Sequence, residues 1–168
     1  MACNCNNGQT SLISLVPAPG ATAESAVYSM ELIHYTCGNR KICVNGGFPL
    51  SANLNYQVLN VYSVGNETYN CDILVSGTVT YMPYRQGQNC GCGCQCSPCP
   101  ITENVWTTVS IPLAVQETPA VNPGICVVSP TNVRDCCSVT NAMSINTSFE
   151  VVSKAAATAE PSGDVRKK

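Results

Sequence analysis

The sequence predicts an all-β domain, a β-sandwich of the jelly-roll kind, and three observations carry this prediction. Apolar and polar residues alternate in several separate runs, turn-forming residues divide those runs, and no long segment repeats with helical periodicity. The 168 residues are enough for one domain with its own hydrophobic core. We therefore expect a β-sandwich over residues 11–153, between a flexible N-terminal arm at 1–10 and a disordered tail at 154–168.

Three runs alternate clearly enough to assign a buried face. Their inward residues are expected to be Ile73, Val75, Val79 and Tyr81 in the first run, Val105, Val109, Ile111, Leu113 and Val115 in the second, and Met143, Ile145, Phe149 and Val151 in the third. Pro112 lacks an amide donor, which predicts that the second run is an edge strand or carries a bulge. A helix starting near Ala21 is the rival for a strand at 27–35. Further strands are expected at 11–16, 41–44, 54–64 and 125–129, with burial on both faces for 54–64.

The low charge of the chain bears on its partners. Only 11% of residues are charged, compared with about 25% in an average soluble domain, and the formal net charge is −2. Because there is no basic stripe to neutralise phosphates, we expect no nucleic-acid partner. Because no run approaches about 18 apolar residues, we expect no membrane span. A polar, uncharged surface favours packing against copies of the same chain; the alternative is an extracellular domain solubilised by hydroxyl and amide groups.

The thirteen cysteines make up an unusually large share of the chain. Because the number is odd, at least one of them pairs with another chain or stays free if all the others form disulfides. Cys3 and Cys5 lie in the N-terminal arm, where they are candidates for inter-chain disulfides; the alternative is that the arm folds back onto its own domain. The candidates for structural disulfides lie at or near predicted strand ends and are Cys37, Cys43, Cys71 and Cys126.

A loop at residues 86–100 is the most unusual segment of the sequence. It contains five cysteines within ten residues, which are Cys90, Cys92, Cys94, Cys96 and Cys99. Neighbours in a Cys-x-Cys sequence rarely bond to each other because the ring is strained, so these thiols need partners elsewhere or a metal. A disulfide-knotted loop is the first interpretation. The alternative is a zinc or copper site, because the alternating thiols resemble the Cys-x-Cys runs of metallothioneins.

The adjacent pair Cys136 and Cys137 is expected to point to opposite sides of an extended chain, so its two members take different partners. The connectivity of the cysteines does not follow from their spacing. Cys96-Ser-Pro-Cys99 has the spacing of a redox motif, but the segment after it continues into a strand and not into a helix. Redox catalysis is therefore disfavoured.

No catalytic constellation stands out, and we expect that the protein is not an enzyme. His34 is the only histidine, and a lone histidine in a strand is more often a satisfied structural residue than a catalyst. No Gly-x-Ser-x-Gly motif, paired carboxylates or phosphate-binding glycine loop is present. No cofactor is expected.

The opening Met-Ala-Cys3-Asn-Cys5-Asn-Asn lacks the features of a secretory signal. Together with the strand-rich body and the Cys136-Cys137 pair before the last strand, it resembles the endospore appendage (Ena) subunits and related small cysteine-rich spore-surface proteins of Firmicutes. The resemblance implies a jelly-roll subunit whose N-terminal arm is cross-linked to other subunits by disulfides. Such subunits would build a resistant fibre or coat.

The function that we expect is therefore structural. The chain is predicted to be a subunit of an extracellular or spore-surface fibre or coat, which assembles through β-sheet contacts and inter-chain disulfides. The alternative is a thiolate metal-binding protein that holds zinc or copper in the loop at 86–100. A third hypothesis is a ligand- or carbohydrate-binding sandwich, with Trp106 and Tyr84 as its aromatic contacts.

Overall fold

The computed structural model describes residues 8–22, 24–44, 50–83, 100–131 and 139–153. The described secondary structure consists of nine strands and one 3-10 turn at Cys37–Asn39. The strands are β1 (Gln9–Pro17), β2 (Ser25–Tyr35), β3 (Ile42–Cys43), β4 (Ser51–Gly65), β5 (Thr68–Tyr81), β6 (Ile101–Leu113), β7 (Ala120–Thr131), β8 (Val139–Thr140) and β9 (Ala142–Val152).

The strands form two antiparallel sheets and a small two-stranded ribbon. The first sheet has the order β1-β2-β9-β7, the second has the order β4-β5-β6, and β3 pairs with β8. The pairing is nested, since β2 pairs with β9, β3 with β8 and β5 with β6, while β4 lies against β7. The result is a sandwich of two antiparallel sheets, in which β4 also pairs with β5 and β7 with β9. The predicted all-β sandwich is confirmed.

The core lies between the two sheets and is built from alternate residues of their strands. The largest fully buried side chains include Tyr81, Phe149, Leu32, Ile73, Ile111 and Ile145. The predicted inward residues of β5 and β9 are all buried, and so are those of β6 as far as Ile111. Leu113 is only half-buried, and Val115 is exposed because it follows the end of β6.

Several strand assignments were tested by the sheet order. Among the described strands β6 pairs only with β5, without a bulge, and it exposes Pro112, so the first of the two predicted alternatives, an edge strand, is confirmed. Residues 25–35 form a strand, so the rival helix is wrong there. The expected burial of 54–64 on both faces is also wrong, because β4 is itself an edge strand and only Leu54 is buried.

Candidate functional site

A buried carboxylate organises one end of the sandwich. Glu103 lies on the inward face of β6 and is 3% exposed. Its oxygens accept hydrogen bonds from Tyr81 Oη (2.5 Å), His34 Nε2 (2.9 Å) and Arg40 Nη1 (3.0 Å), and from the backbone N–H of Cys37 (3.2 Å). Four donors from different parts of the chain therefore converge on one side chain.

These bonds offset the cost of burying a charge at Glu103. Burial alone raises the pKa of its carboxyl group, but the hydrogen bonds from His34, Tyr81 and the Cys37 N–H outweigh burial, so the pKa lies below its usual range. Burial raises the pKa of Tyr81, and its hydrogen bond to Glu103 raises it further. Arg40 also donates to Tyr81 Oη at 3.0 Å, which completes a closed polar cluster. The carboxylate is thus held ionised and fully satisfied.

His34 connects this cluster to the first strand. The imidazole is fully buried, with Nε2 on Glu103 and Nδ1 2.9 Å from Thr10 Oγ1 in β1. An ionised carboxylate only accepts hydrogen bonds, so Nε2 carries a proton and donates it to Glu103. In the neutral ring, Nδ1 then accepts from the Thr10 hydroxyl. Both ring nitrogens are satisfied, as the sequence led us to expect of a structural histidine.

Gly8, directly before β1, lies in close contact with the cluster. A Cβ atom at this position would overlap the carbonyl oxygen of Tyr35 and lie 2.7 Å from His34 Nε2 and 2.9 Å from Glu103 Oε1. Only glycine fits where the backbone approaches this closely. Together with the Thr10–His34 bond, this contact fixes the start of β1 on the body of the sandwich.

The chain Thr10–His34–Glu103 presents a hydroxyl, an imidazole and a carboxylate in series, as a hydrolytic triad does. Two features favour a structural role. The imidazole is fully buried, and the carboxylate is shared with Arg40 and Tyr81 and is not dedicated to the imidazole. The expectation that the protein is not an enzyme stays a prediction.

The second candidate site consists of the sheet edges. β1 and β7 end the four-stranded sheet, and β4 and β6 end the three-stranded sheet. At the corners of the sandwich β4 approaches β7 and β1 approaches β6, but no ladder between described strands joins the two sheets there. The sequences of these four strands contain a single charged residue, Glu103, and it is buried.

Large apolar side chains are exposed on these edge strands. Ile125 in β7 is 72% exposed, and the other edge residues with large exposed side chains are Leu12, Ile13, Val16, Leu59, Tyr62, Val64, Trp106 and Val127. A groove of about 300 Å³ crosses the outer face of the four-stranded sheet, with Val16 at one side and Ile125 and Val127 at the other. Its floor includes Ser29 and Ser148. The sequence did not reveal this concentration, because periodicity does not say which strands lie at an edge.

The structure describes four cysteines, of which two are disulfide-bonded and two are free thiols. Cys37 and Cys43 are each disulfide-bonded. Cys71 and Cys126 are free thiols, so the expected structural disulfides at these two positions are not formed. Cys71 is fully buried in the apolar core, where it packs as a small hydrophobic residue, and Cys126 lies in the interior of β7.

Burial also makes these two thiols poor nucleophiles. Burial, together with the negative charge of Asp72, raises the pKa of Cys71 to about 11. Burial raises the pKa of Cys126, while its hydrogen bond with Thr147 opposes the rise. Neither thiol is activated for attack on a disulfide in the folded chain.

The remaining predicted cysteine sites lie outside the described residues. These are the arm candidates Cys3 and Cys5, the loop candidates Cys90, Cys92, Cys94, Cys96 and Cys99, and the pair Cys136 and Cys137. Tyr84 also lies outside them. In the described part of the chain, no three His, Cys, Asp or Glu side chains are grouped so as to hold a metal ion. No helix in that part is long and apolar enough to cross a membrane.

Sequence reasoning missed the cluster around Glu103, although a signal was present. Glu103 stands in register with Val105, Val109 and Ile111, so the alternation that assigns those residues to the core also places a carboxylate there. A buried carboxylate requires donors from elsewhere in the chain. Three of those donors, His34, Arg40 and the Cys37 N–H, are more than sixty residues away, and only the fold identifies them.

Comparison with known proteins gives this chain no relative. No family model matches it, and neither a curated protein nor a solved structure matches it.

Proposed function

We propose that the protein is a structural subunit that assembles with copies of itself into a disulfide-stabilised fibre or coat, outside the cell or on a spore surface. The observation that carries the proposal is the lack of exposed charge on all four edge strands. Natural sheets usually prevent unwanted pairing with charged side chains, above all lysine, at their edges. An edge without these charges is suited to contact with another copy of the chain.

The exposed apolar side chains of β1 and β7 support the same function. Val16, Ile125 and Val127 border the outer groove, and each is more than half exposed. Covering such side chains contributes about 25 cal/mol for each Å² removed from water. Two carboxylates on this face accept hydrogen bonds from serine hydroxyls of the same chain: Glu31 from Ser144 at 2.9 Å, and Glu150 from Ser25 at 3.2 Å. These hydrogen bonds leave both carboxylates charged, so a contact between copies would have to keep them apart.

Inter-chain disulfides would make such an assembly resistant. The contacts at the sheet edges are reversible, and each disulfide that closes a loop adds about 2–4 kcal/mol. Cys3 and Cys5 are the candidates, because they precede a strand whose start is fixed on the body by the Thr10–His34 bond and by Gly8. Because the start of β1 is fixed, the arm would extend towards a neighbouring subunit from a defined position on the sandwich.

The role of the arm is tested by replacing both Cys3 and Cys5 with serine. We expect a folded chain that no longer forms the oligomers that dissociate only in reductant, measured on denaturing gels with and without reductant. Circular dichroism checks that the β-sheet signal is retained. Unchanged reductant-sensitive oligomers in the double variant would refute the role of the arm.

The contact surface is tested separately with two matched substitutions. Val127→Lys places a charge on the edge strand β7, and Val27→Lys places one on the same outer face at the interior strand β2. We expect Val127→Lys to reduce assembly, measured by light scattering and electron microscopy, while Val27→Lys assembles more nearly as the parent chain does. Equal assembly of both variants and the parent would show that the β7 edge is not a subunit contact.

A further inference from the structure

A cleft lies at the corner of the sandwich where the start of β1 approaches β6. Its volume is about 320 Å³, and it is lined by Gly8, Gln9, Thr10, Trp106 and Thr107. Among the residues that the structure describes, the lining contains no charged side chain. It combines an aromatic ring with one amide and two hydroxyl groups. Small-molecule sites occupy about 300–1,000 Å³, so this cleft has room for one small ring.

Trp106 is the distinctive member of this lining. It is the only tryptophan in the chain, and 58% of it is exposed on the outer face of β6. The neighbouring outward residues of β6, Thr108 and Ser110, are small and polar. An indole that is left in water beside a polar cleft offers a large flat apolar surface to a ligand that also needs hydrogen bonds.

The buried cluster sets the orientation of the Thr10 hydroxyl. When His34 Nε2 donates its hydrogen bond to Glu103, Nδ1 of the neutral ring accepts a hydrogen bond from the Thr10 hydroxyl. Its lone pairs remain available, which makes Thr10 an acceptor at the wall of the cleft. The Thr10–His34 and His34–Glu103 hydrogen bonds therefore orient the Thr10 hydroxyl before any ligand binds. A group that is already oriented loses little entropy on binding.

We infer that this cleft binds a neutral sugar ring, such as a terminal residue of a glycan. The C–H face of a pyranose packs against an aromatic ring, while its hydroxyl groups both donate and accept hydrogen bonds. Trp106 supplies the aromatic face, Thr10 accepts, and the Gln9 amide and Thr107 hydroxyl both donate and accept. The absence of charge in the lining selects neutral sugars over anionic ones. This inference does not depend on self-assembly.

The single tryptophan makes a direct test. The full-length protein is titrated with glucose, galactose, mannose and N-acetylglucosamine, each alone, while Trp106 fluorescence is recorded. We expect a saturable change with at least one of these sugars, and weak affinity because one ring makes few contacts. Saturation-transfer NMR of the sugar gives a second readout that does not require the indole.

Matched variants locate the site. In the NMR assay, Trp106→Ala should weaken binding about 10-fold or more and Gln9→Ala about 3- to 10-fold, while Trp106→Phe retains part of the affinity. Thr108→Ala, on the same face of β6 but outside the cleft, should bind as the parent chain does. Circular dichroism confirms that each variant is folded.

Four outcomes would overturn the inference. They are no saturable response to any of the four sugars, equal binding by the Trp106→Ala variant, tighter binding of glucuronic acid than of the neutral sugars, and a fluorescence change that follows protein concentration and not sugar. The last outcome would assign Trp106 to a contact between copies of the chain.

Discussion

Replacing Glu103 tests whether the buried cluster holds the two sheets together. Glu103→Gln keeps the shape of the side chain but removes its charge and turns one acceptor atom into a donor. The carboxylate of the parent chain accepts from His34, Tyr81, Arg40 and the Cys37 N–H. In the least costly arrangement the amide group faces His34, which changes tautomer, and the remaining oxygen still accepts from Tyr81 and Arg40.

The expected loss follows from these bonds. Hydrogen bonds to a charged group contribute about 1.5–3 kcal/mol and neutral ones about 0.5–1.5 kcal/mol, a difference of roughly 1 kcal/mol for each bond. The bonds from Tyr81, Arg40 and the Cys37 N–H are weakened in this way, which gives a loss of roughly 3 kcal/mol. The side chain of Arg40 is 30% exposed and can turn to water, which lowers the value to about 2–3 kcal/mol. Glu103→Leu leaves the donors with no partner and should cost more, about 3–5 kcal/mol.

Urea unfolding at neutral pH, followed by circular dichroism under reducing conditions, measures these differences. With an m-value of about 2 kcal/mol/M, the midpoint for Glu103→Gln should fall by about 1–1.5 M. Glu150→Gln is the matched control, because Glu150 lies on the outer face and accepts only from Ser25 and Asn122 among the described residues. Its effect should stay within about 0.5 kcal/mol. A Glu103→Gln loss no larger than that of the control would refute the stabilising role of the cluster.

The remaining predictions concern the same region and the core. Hydrogen bonds hold the pKa of Glu103 in the folded protein below its usual range. The contribution of Glu103 to the free energy of unfolding is therefore complete above its pKa in the unfolded chain, about 4.3, and is lost as the pH falls through its pKa in the folded protein. The difference in free energy of unfolding between the parent chain and Glu103→Gln should narrow below about pH 4. Gly8→Ala should cost about 1–3 kcal/mol in the same urea assay through its overlap with Tyr35, whereas Ser11→Ala, exposed on the same strand, should be nearly neutral. Cys71 should resist iodoacetamide at pH 8 in the folded protein and react only in urea, as peptide mass mapping would reveal; labelling of Cys71 as fast as that of the half-buried Cys126 would contradict the burial and the pKa of about 11.

The alternation of apolar residues was enough to predict the strands that face the core. The inward residues of β5 and β9 follow from period two alone, because neighbouring side chains of a strand point to opposite faces. Pro112 likewise predicted the edge position of β6 from its missing donor. β4 shows the limit of this reasoning: its tyrosines and valines indicated burial on both faces, but only the face with Leu54 and Tyr56 packs against the core and the other face is exposed.

The cysteines show a second limit. The positions of Cys71 and Cys126 at or near predicted strand ends suggested a disulfide role, but a disulfide requires Cβ atoms within about 3.5–4.5 Å of each other, and sequence does not give distances between strands. The structure leaves both as free thiols within their strands. The sites proposed for assembly at Cys3 and Cys5 rest on the sequence.

The sequence by itself determined that this protein is a low-charge, cysteine-rich β-sandwich, because periodicity, turn residues and composition are properties of neighbouring residues. Only the tertiary structure decided which strands form the edges and which side chains meet Glu103. The physical reason is that both depend on contacts between distant segments. Glu103 gains its donors from β2, β5 and the turn after β2 when the sheets close, and an edge exists only where the sheet stops.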